Sequence, residues 1–435
     1  MLKAGFARVD ITPPLGTYMN GYFEARYSKG ILDPLYLNAL AYTDGEKTNV
    51  LITCDACSIT ANHAQAIRRL IAEETGIPEA GIYIHSLHSH TAFGLNNIPG
   101  KTPSKLYYDH LLRKFADAAK MALDDLDDAA AYTARRETPE QISFIRRYRM
   151  KDGSVKTNPG FLNPDVKEPL GQADNTVRLV RFKRKSSPDI ALVNFPTHPD
   201  TVGGEKYSAD WPGFVRRYVE EDIGDVRCLV LNGCQGDVNT IDVRLPGAMK
   251  DVSGYYDYRA CRRIGRIIAD TVRDIWETGE KHKDGKVFSA FKSVSVAVNR
   301  EGIDKYDEAV ALINDHIENG TPVTMEAYGN ARRITRVRDL SDRFDIPVSA
   351  QGFSDIVFVG FGGEPFSEYA SDMRRAFPGS FVVTTCLTNG GEGYLPTSKA
   401  FAEGGYEAAI SKFTASLQGD LSDAAKEMLD NNEIK

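Results

Sequence analysis

The chain has 435 residues, 42 % of them hydrophobic and 26 % charged, with a formal net charge of −7. This is ordinary globular composition with ample apolar material for a large core, and α/β enzymes of this length often have one catalytic body. The acidic balance argues against a general nucleic-acid binder, which would carry a basic surface, and no stretch approaches the roughly 18 consecutive apolar residues of a membrane-spanning helix.

Met1-Leu2-Lys3-Ala4-Gly5-Phe6 runs straight into a strand-like segment without the apolar core of a signal peptide, so a cytoplasmic location is expected. Six cysteines are too sparse for a disulfide scaffold. Cys54 and Cys57 form a lone C-x-x-C at the end of an apolar strand, and plain reduced thiols are the simplest reading.

Strand and helix signals alternate along the chain. Val50–Cys54 is a short β-branched run, and a helix over 61–74 follows, stopped by Gly76 and Pro78. Gly81–His85 is the next strand. Ser104 can cap a long helix to about Leu126, whose Leu111, Phe115, Met121 and Leu126 recur at roughly helical spacing. Residues 137–172, rich in Arg, Lys, Pro, Gly and Asn, have little periodicity and predict a long excursion from the core. Strands are predicted at 176–182, 190–195 and 227–231. A helix over 257–276 carries Cys261, Ile264, Ile268, Val272 and Ile275 on one face. Val294, Val296 and Val298 mark a half-buried strand. Residues 303–340 read as charged helices that can form a small subdomain. Strands at 355–361 and 381–385, a helix from Pro365 and helices near 402–417 and 421–431 complete the pattern. It describes one α/β body, 1–435, with a large mixed sheet.

Five polar clusters each follow a predicted strand. His85-Ser-Leu-His88-Ser-His90 holds three of the eight histidines. In a continuing strand His88 and His90 would share a face, suited to a divalent metal or to a plain hydrogen-bonded pair. Pro196-Thr-His198-Pro-Asp200 holds a histidine between prolines. Asn232-Gly-Cys-Gln-Gly-Asp237-Val-Asn239 offers glycines for a close backbone path. Glu364 stands at a helix mouth, as a cap or a ligand. Tyr394 sits in a glycine-rich loop that can serve packing equally well. Five such clusters suggest strand ends converging on one site.

These residues resemble the neutral, non-lysosomal ceramidase family. Asp10-Ile-Thr-Pro-Pro with Met19-Asn-Gly-Tyr22, His88-Ser-His90-Thr-Ala-Phe-Gly94, Pro196-Thr-His198, Ser208-Ala-Asp210, Gly236-Asp-Val-Asn239, Gly362-Gly-Glu364, Gly393-Tyr394-Leu-Pro-Thr and Tyr406-Glu-Ala-Ala409 match its motifs in order. The matches run from residue 5 to about 410. The resemblance implies one mixed-sheet α/β catalytic domain without the family's C-terminal immunoglobulin-like domain. It implies one zinc ion per chain held by His88, His198, Glu364 and Tyr394. His90 and Tyr406 would either support the ligands from behind or act on the transition state, with an arginine from Arg146, Arg147 and Arg149, Arg147 being the one expected in the site. Asp210, before Trp211-Pro212, would steady a ligand histidine or cap a helix.

Asn239 stands where the family has serine, so no serine nucleophile carries over, which favours a metal-activated water. The resemblance implies hydrolysis of an N-acyl amide, from a lipid-like or small-molecule substrate. The alternatives are a small polar amide, ester or lactone, or a non-catalytic ligand-binding protein of the same fold. Oligomeric state has no signature in the sequence.

Overall fold

The computed structural model describes residues 1–96, 102–245 and 258–434. Two β-sheets pack face to face, and helices cover the outer face of each. The first sheet is built from β1 (Lys3–Asp10), β2 (Tyr36–Thr43), β3 (Thr48–Cys54), β4 (Ile82–Ser86), β5 (Asp127–Glu137), β6 (Thr176–Arg184), β7 (Asp189–Phe195) and β8 (Val226–Asn232). Its spatial order is β8-β7-β6-β5-β1-β2-β3-β4, and a short strand, Glu280–Lys281, pairs with β5. Neighbours are antiparallel except at the two ends, where β7 runs parallel to β8 and β3 to β4. The second sheet holds β9 (Val287–Ala297), β10 (Arg343–Phe353), β11 (Ile356–Phe361) and β12 (Phe381–Thr385) in that order, and β11 and β12 are parallel.

Side-chain alternation divides the core. On β2, Leu37, Ala39 and Ala41 face the helices α1 (Ala61–Thr75) and α2 (Lys105–Asp124), whereas Leu40 and Tyr42 face the second sheet. The period of two in a strand produces this split, and each face is apolar because each is covered. β7 does the same: Ala191, Val193 and Phe195 meet α3 (Asp210–Ile223) and α4 (Tyr258–Ile275), and Ile190 and Leu192 turn inward. On β11, Ile356 and Phe358 face the first sheet, while Val357, Val359 and Phe361 pack under α7 (Ser367–Ala376) and α8 (Leu417–Asp430).

The predicted helix ends hold. Ser104 accepts from the Tyr107 N–H, and Gly76 closes α1 in the left-handed conformation at φ 75°. The proposed face of α4 is buried, and Asp257 lies outside the described residues. Other expectations need correction. Met121 is half exposed; the buried stripe of α2 is Leu111, Phe115, Ala118, Ala119 and Ala122, because small residues allow close approach to β1 and β2. Residues 137–172 are not an irregular excursion: Arg147–Met150 pairs with Val155–Thr157 and Val166–Pro169 in a three-stranded sheet. The helix expected over 402–417 is broken into Ser398–Glu403 and Tyr406–Ile410, because Gly404 and Gly405 have φ of 81° and 93°. Residues 303–340 contain a helical pair, α5 (Tyr306–Asn319) and α6 (Met325–Val337), with its own small core of Ala309, Ile313, Tyr328, Ala331 and Ile334. No helix among the described residues is long and apolar enough to cross a membrane.

A buried ion pair ties the β3 end of the first sheet to its helical layer. Asp55, fully buried just after β3, receives both terminal nitrogens of Arg216 on α3, at 2.8 and 2.6 Å. It also accepts from the Tyr36 N–H at 2.8 Å. Removing one partner strands a buried charge, so Arg216→Met is expected to cost about 3–5 kcal/mol in urea unfolding. Arg216→Met with Asp55→Leu is expected to recover most of that loss.

Candidate functional site

Strand ends from both sheets deliver side chains to one place. β4 ends at Ser86, and the chain then turns. His88 has φ of 73°, so His88 and His90 do not extend the strand as its alternation had suggested. The left-handed turn at His88 instead aims both rings at each other, Nε2 to Nε2 at 3.1 Å. His198 follows β7 and Glu364 follows β11. Tyr394 is brought beside Glu364 by a short parallel pairing of Tyr394–Leu395 with Glu364–Pro365, in which these two residues are register partners.

Backbone carbonyls fix the imidazoles. His88 Nδ1 lies 2.8 Å from Cys57 O, and His198 Nδ1 lies 3.0 Å from both Gln235 O and Val238 O. A carbonyl only accepts, so each Nδ1 carries the proton and each Nε2 presents a lone pair. Both lone pairs point at Glu364 Oε2, at 3.4 Å from His88 and 3.5 Å from His198. Three Lewis bases thus converge in a buried volume, and Oε2 has no hydrogen-bond partner. The arrangement demands a cation. The Glu364 carboxylate answers with a proton on His88: burial presses the His88 pKa down, but Glu364 and Cys57 outweigh it and hold it well above the usual value. The same histidines hold Glu364 well below its usual range against burial. His198 is pushed down to about 3 by burial and then by Arg146.

A divalent metal fits this donor set. His88, His198 and Glu364 place their ligand atoms within 4.8 Å of one another, and neutral imidazoles with a carboxylate suit a divalent metal. Arg146 Nη1 also lies 3.2 Å from His198 Nε2.

Of the three arginines the sequence left open, Arg146 reaches the site. Its Nε bonds Glu407 at 2.7 Å, its Nη2 bonds Gly236 O at 2.9 Å, and its Cζ lies 5.2 Å from the centre of the Tyr394 ring. Arg147, the residue expected there, pairs with Glu403 at 3.3 Å and donates to Gly404 O at 2.7 Å, and its Nε lies 3.8 Å from the other oxygen of Glu407. Arg149 also pairs with Glu403. Asp210 touches none of the proposed ligands. It accepts from Thr201 N and Val202 N at 2.8 and 3.0 Å, and from Trp211 N at 2.6 Å as α3 starts. It therefore shapes the loop after His198.

That loop carries Asp200, the last residue of the Pro196-Thr-His198-Pro-Asp200 motif. His90 Nδ1 lies 3.4 Å from Asp200 Oδ1, and the Tyr22 hydroxyl donates to the same oxygen. Glu407, fully buried, also went unremarked beside Tyr406; Thr157 Oγ1 donates to it at 2.6 Å. A buried acid next to a candidate tyrosine was the available signal. Tyr406 stands with its ring 5.9 Å from that of Tyr394. His85 is a staple: Nδ1 donates to Cys386 O at 2.7 Å, Nε2 accepts from Asn232 N at 3.0 Å, and burial lowers its pKa to about 3. The glycine of Gly236-Asp237 faces protein, since a Cβ there would stand 2.3 Å from Glu364 O. Asp237 caps α7 through Ser367 N at 2.7 Å. Glu364 is thereby relieved of the capping role.

The whole chain superposes on 75 % of the crystal structure of neutral ceramidase from Pseudomonas aeruginosa, with a TM-score of 0.75 and 14 % identity. It likewise covers 76 % of a chain described as ceramidase complexed with C2, with a TM-score of 0.72 and 15 % identity. The fold is that of a neutral ceramidase. No family model and no curated protein matches the sequence. The ceramidase likeness is thus one of architecture, the large mixed-sheet α/β body expected from the ordered motifs.

Burial, the first cause, raises the Asp200 carboxyl from 3.8 to about 7. A raised carboxyl favours folding while it is protonated, so its contribution is lost as pH rises from about 4 to 7. In metal-free protein Asp200→Asn, which keeps the acceptor for Tyr22, is expected to flatten this loss. Relative to wild type it should gain roughly 2–4 kcal/mol between pH 4 and 7.5, read by urea unfolding.

Proposed function

We propose that this chain is a zinc-dependent hydrolase of N-acyl amides, with His88, His198, Glu364 and Tyr394 as the ligands. The observation that carries this reading is the aim of two imidazole lone pairs at one unbonded carboxylate oxygen. The ceramidase architecture around it supports amide chemistry. Bound zinc supplies a Lewis acid and lowers the pKa of water to about 7.

The chain's own groups do the rest. His90 is kept neutral by burial and then by His88 and His198, so its Nε2 can orient or accept a proton while Nδ1 faces Asp200. Burial pushes the Tyr406 hydroxyl up, so it stays protonated and can donate to a developing oxyanion. Burial likewise opposes ionisation of Tyr394, and Arg146 is the group that favours its phenolate. Arg146 keeps its charge despite burial because Tyr394 and Glu407 hold it. Asn239 occupies the position of a family serine, so the attacking oxygen comes from water.

Protein purified without chelator or nickel is expected to contain about one zinc per chain by elemental mass spectrometry. His198→Ala is expected to lose zinc and turnover together. Tyr406→Phe keeps the zinc and loses about 10²–10³ in kcat on N-acyl amides. Folded protein that takes up no divalent metal when offered zinc would overturn the proposal.

A further inference from the structure

The mouth of the site is built by α6 and the N-terminal loop. Gly329 allows α6 to lie against Tyr406: a Cβ there would stand 3.2 Å from Tyr406 Cδ2 and 3.3 Å from Ile410 Cβ. On a helix, positions three and seven further on share that face. Those positions are Arg332 and Arg336. Tyr328 stacks edge-on against Phe23, at 4.8 Å between ring centres, and Phe23 stands 6.2 Å from Tyr406. Arg332 lies with its Cζ 6.0 Å from the Tyr328 ring.

Nearby arginines of the helical pair are satisfied. Arg333 donates to Asn299 O and Glu301 O, Arg338 pairs with Asp339, and Arg300 pairs with Asp342. Arg332 and Arg336 have no carboxylate partner among the described residues, and Arg332 Nε is buried without a hydrogen bond. The acid on the same helix, Glu326, is turned to the Gly405 N–H at 3.4 Å. Two like charges four residues apart on a helix are mutually destabilising, and no carboxylate among the described residues offsets them. Arg336 is exposed to solvent and Arg332 half-buried, so a ligand can reach both. Lys412, by contrast, is paired with Glu392 at 3.2 Å. Arg332 and Tyr406 both lie within the field of Arg336.

We infer that Arg332 and Arg336 hold an anionic oxygen group of the substrate, a carboxylate or a phosphate, at the mouth above Tyr406. The substrate is then an acidic N-acyl compound, with its charge on the guanidinium forks and its acyl bond directed inward past Phe23 and Tyr328. Guanidinium pairs suit this task because their planar donors match carboxylate and phosphate oxygens. This rests on the hydrolase reading for its chemistry, but not for its binding.

The test uses three compounds with one dodecanoyl chain: N-dodecanoylglycine, the phosphate ester of N-dodecanoylethanolamine, and neutral N-dodecanoylethanolamine. In zinc-loaded wild type, kcat/KM is expected to favour an acidic member by roughly tenfold, and raised salt to erode the preference. Arg332→Gln and Arg336→Gln are each expected to cut the acidic-to-neutral ratio several-fold, with Arg336→Lys cutting it less. The better acidic member identifies the group as carboxylate or phosphate. Calorimetric binding of the same compounds to metal-stripped protein is independent of turnover. Acid-selective binding that the Gln variants weaken, without any cleavage, would sustain the arginine site and sink the hydrolase. Cleavage indifferent to substrate charge and to both variants would do the reverse. Equal binding of acidic and neutral members, unmoved by either substitution, would also overturn the arginine site.

Discussion

The structure turns on a local electrostatic demand: two imidazole lone pairs lie within about 3.5 Å of one buried carboxylate oxygen. No pair of them can satisfy the others, because all three accept. A proton on His88 answers the demand in part, and a divalent ion answers all three bases at once. The carbonyls of Cys57, Gln235 and Val238 make the demand unavoidable, since they take the Nδ1 protons and leave the Nε2 atoms facing inward. Backbone acceptors of this kind orient metal ligands without charge of their own.

The fold meets this demand by where it puts its parallel strands. Parallel pairing occurs at both ends of the first sheet and between β11 and β12 of the second. Carboxyl ends of such strands are where open α/β sheets expose ligand-binding loops. Face-to-face packing brings those ends together, and the apolar layer of Leu40, Tyr42, Leu192, Leu231 and Phe358 fixes the sheet separation. His85 then locks β4 to the ends of β8 and β12 with two hydrogen bonds. It is the histidine of the cluster that is spent on architecture, although its strand-end position looked as promising as those of His88 and His90.

Much of this was legible from sequence where local chemistry and global fold agree. Helix α1 carries its stop at Gly76, α4 carries an apolar stripe, and the strand-end clusters converge as their positions implied. What was hidden depends on neighbours. β5, with its alanines and paired acids, and β10, with Pro347 and Gly352 inside it, lack strand composition and are strands because flanking strands pair with them. The choice of Arg146 over Arg147 is one residue of phase in a segment without periodicity. Gly404 and Gly405 lay inside a stretch that otherwise reads as helix, yet their positive φ breaks it and turns Tyr406 toward the site. The left-handed turn at His88 was also hidden, since histidine is enriched at positive φ yet adopts it in only a small minority of cases.

The separation between the two halves of the site is itself informative. The proposed ligands hang from strand ends bound into both sheets, so a substitution there disturbs the core as well as the chemistry. The mouth hangs from α6, a helix with its own small core that meets the catalytic body through Gly329, Tyr328 and the short helix at Tyr406. Residues such as Arg332 and Arg336 can therefore change without moving a ligand. Under the proposed assignment, substrate selection resides in a helix that contributes none of the four proposed ligands.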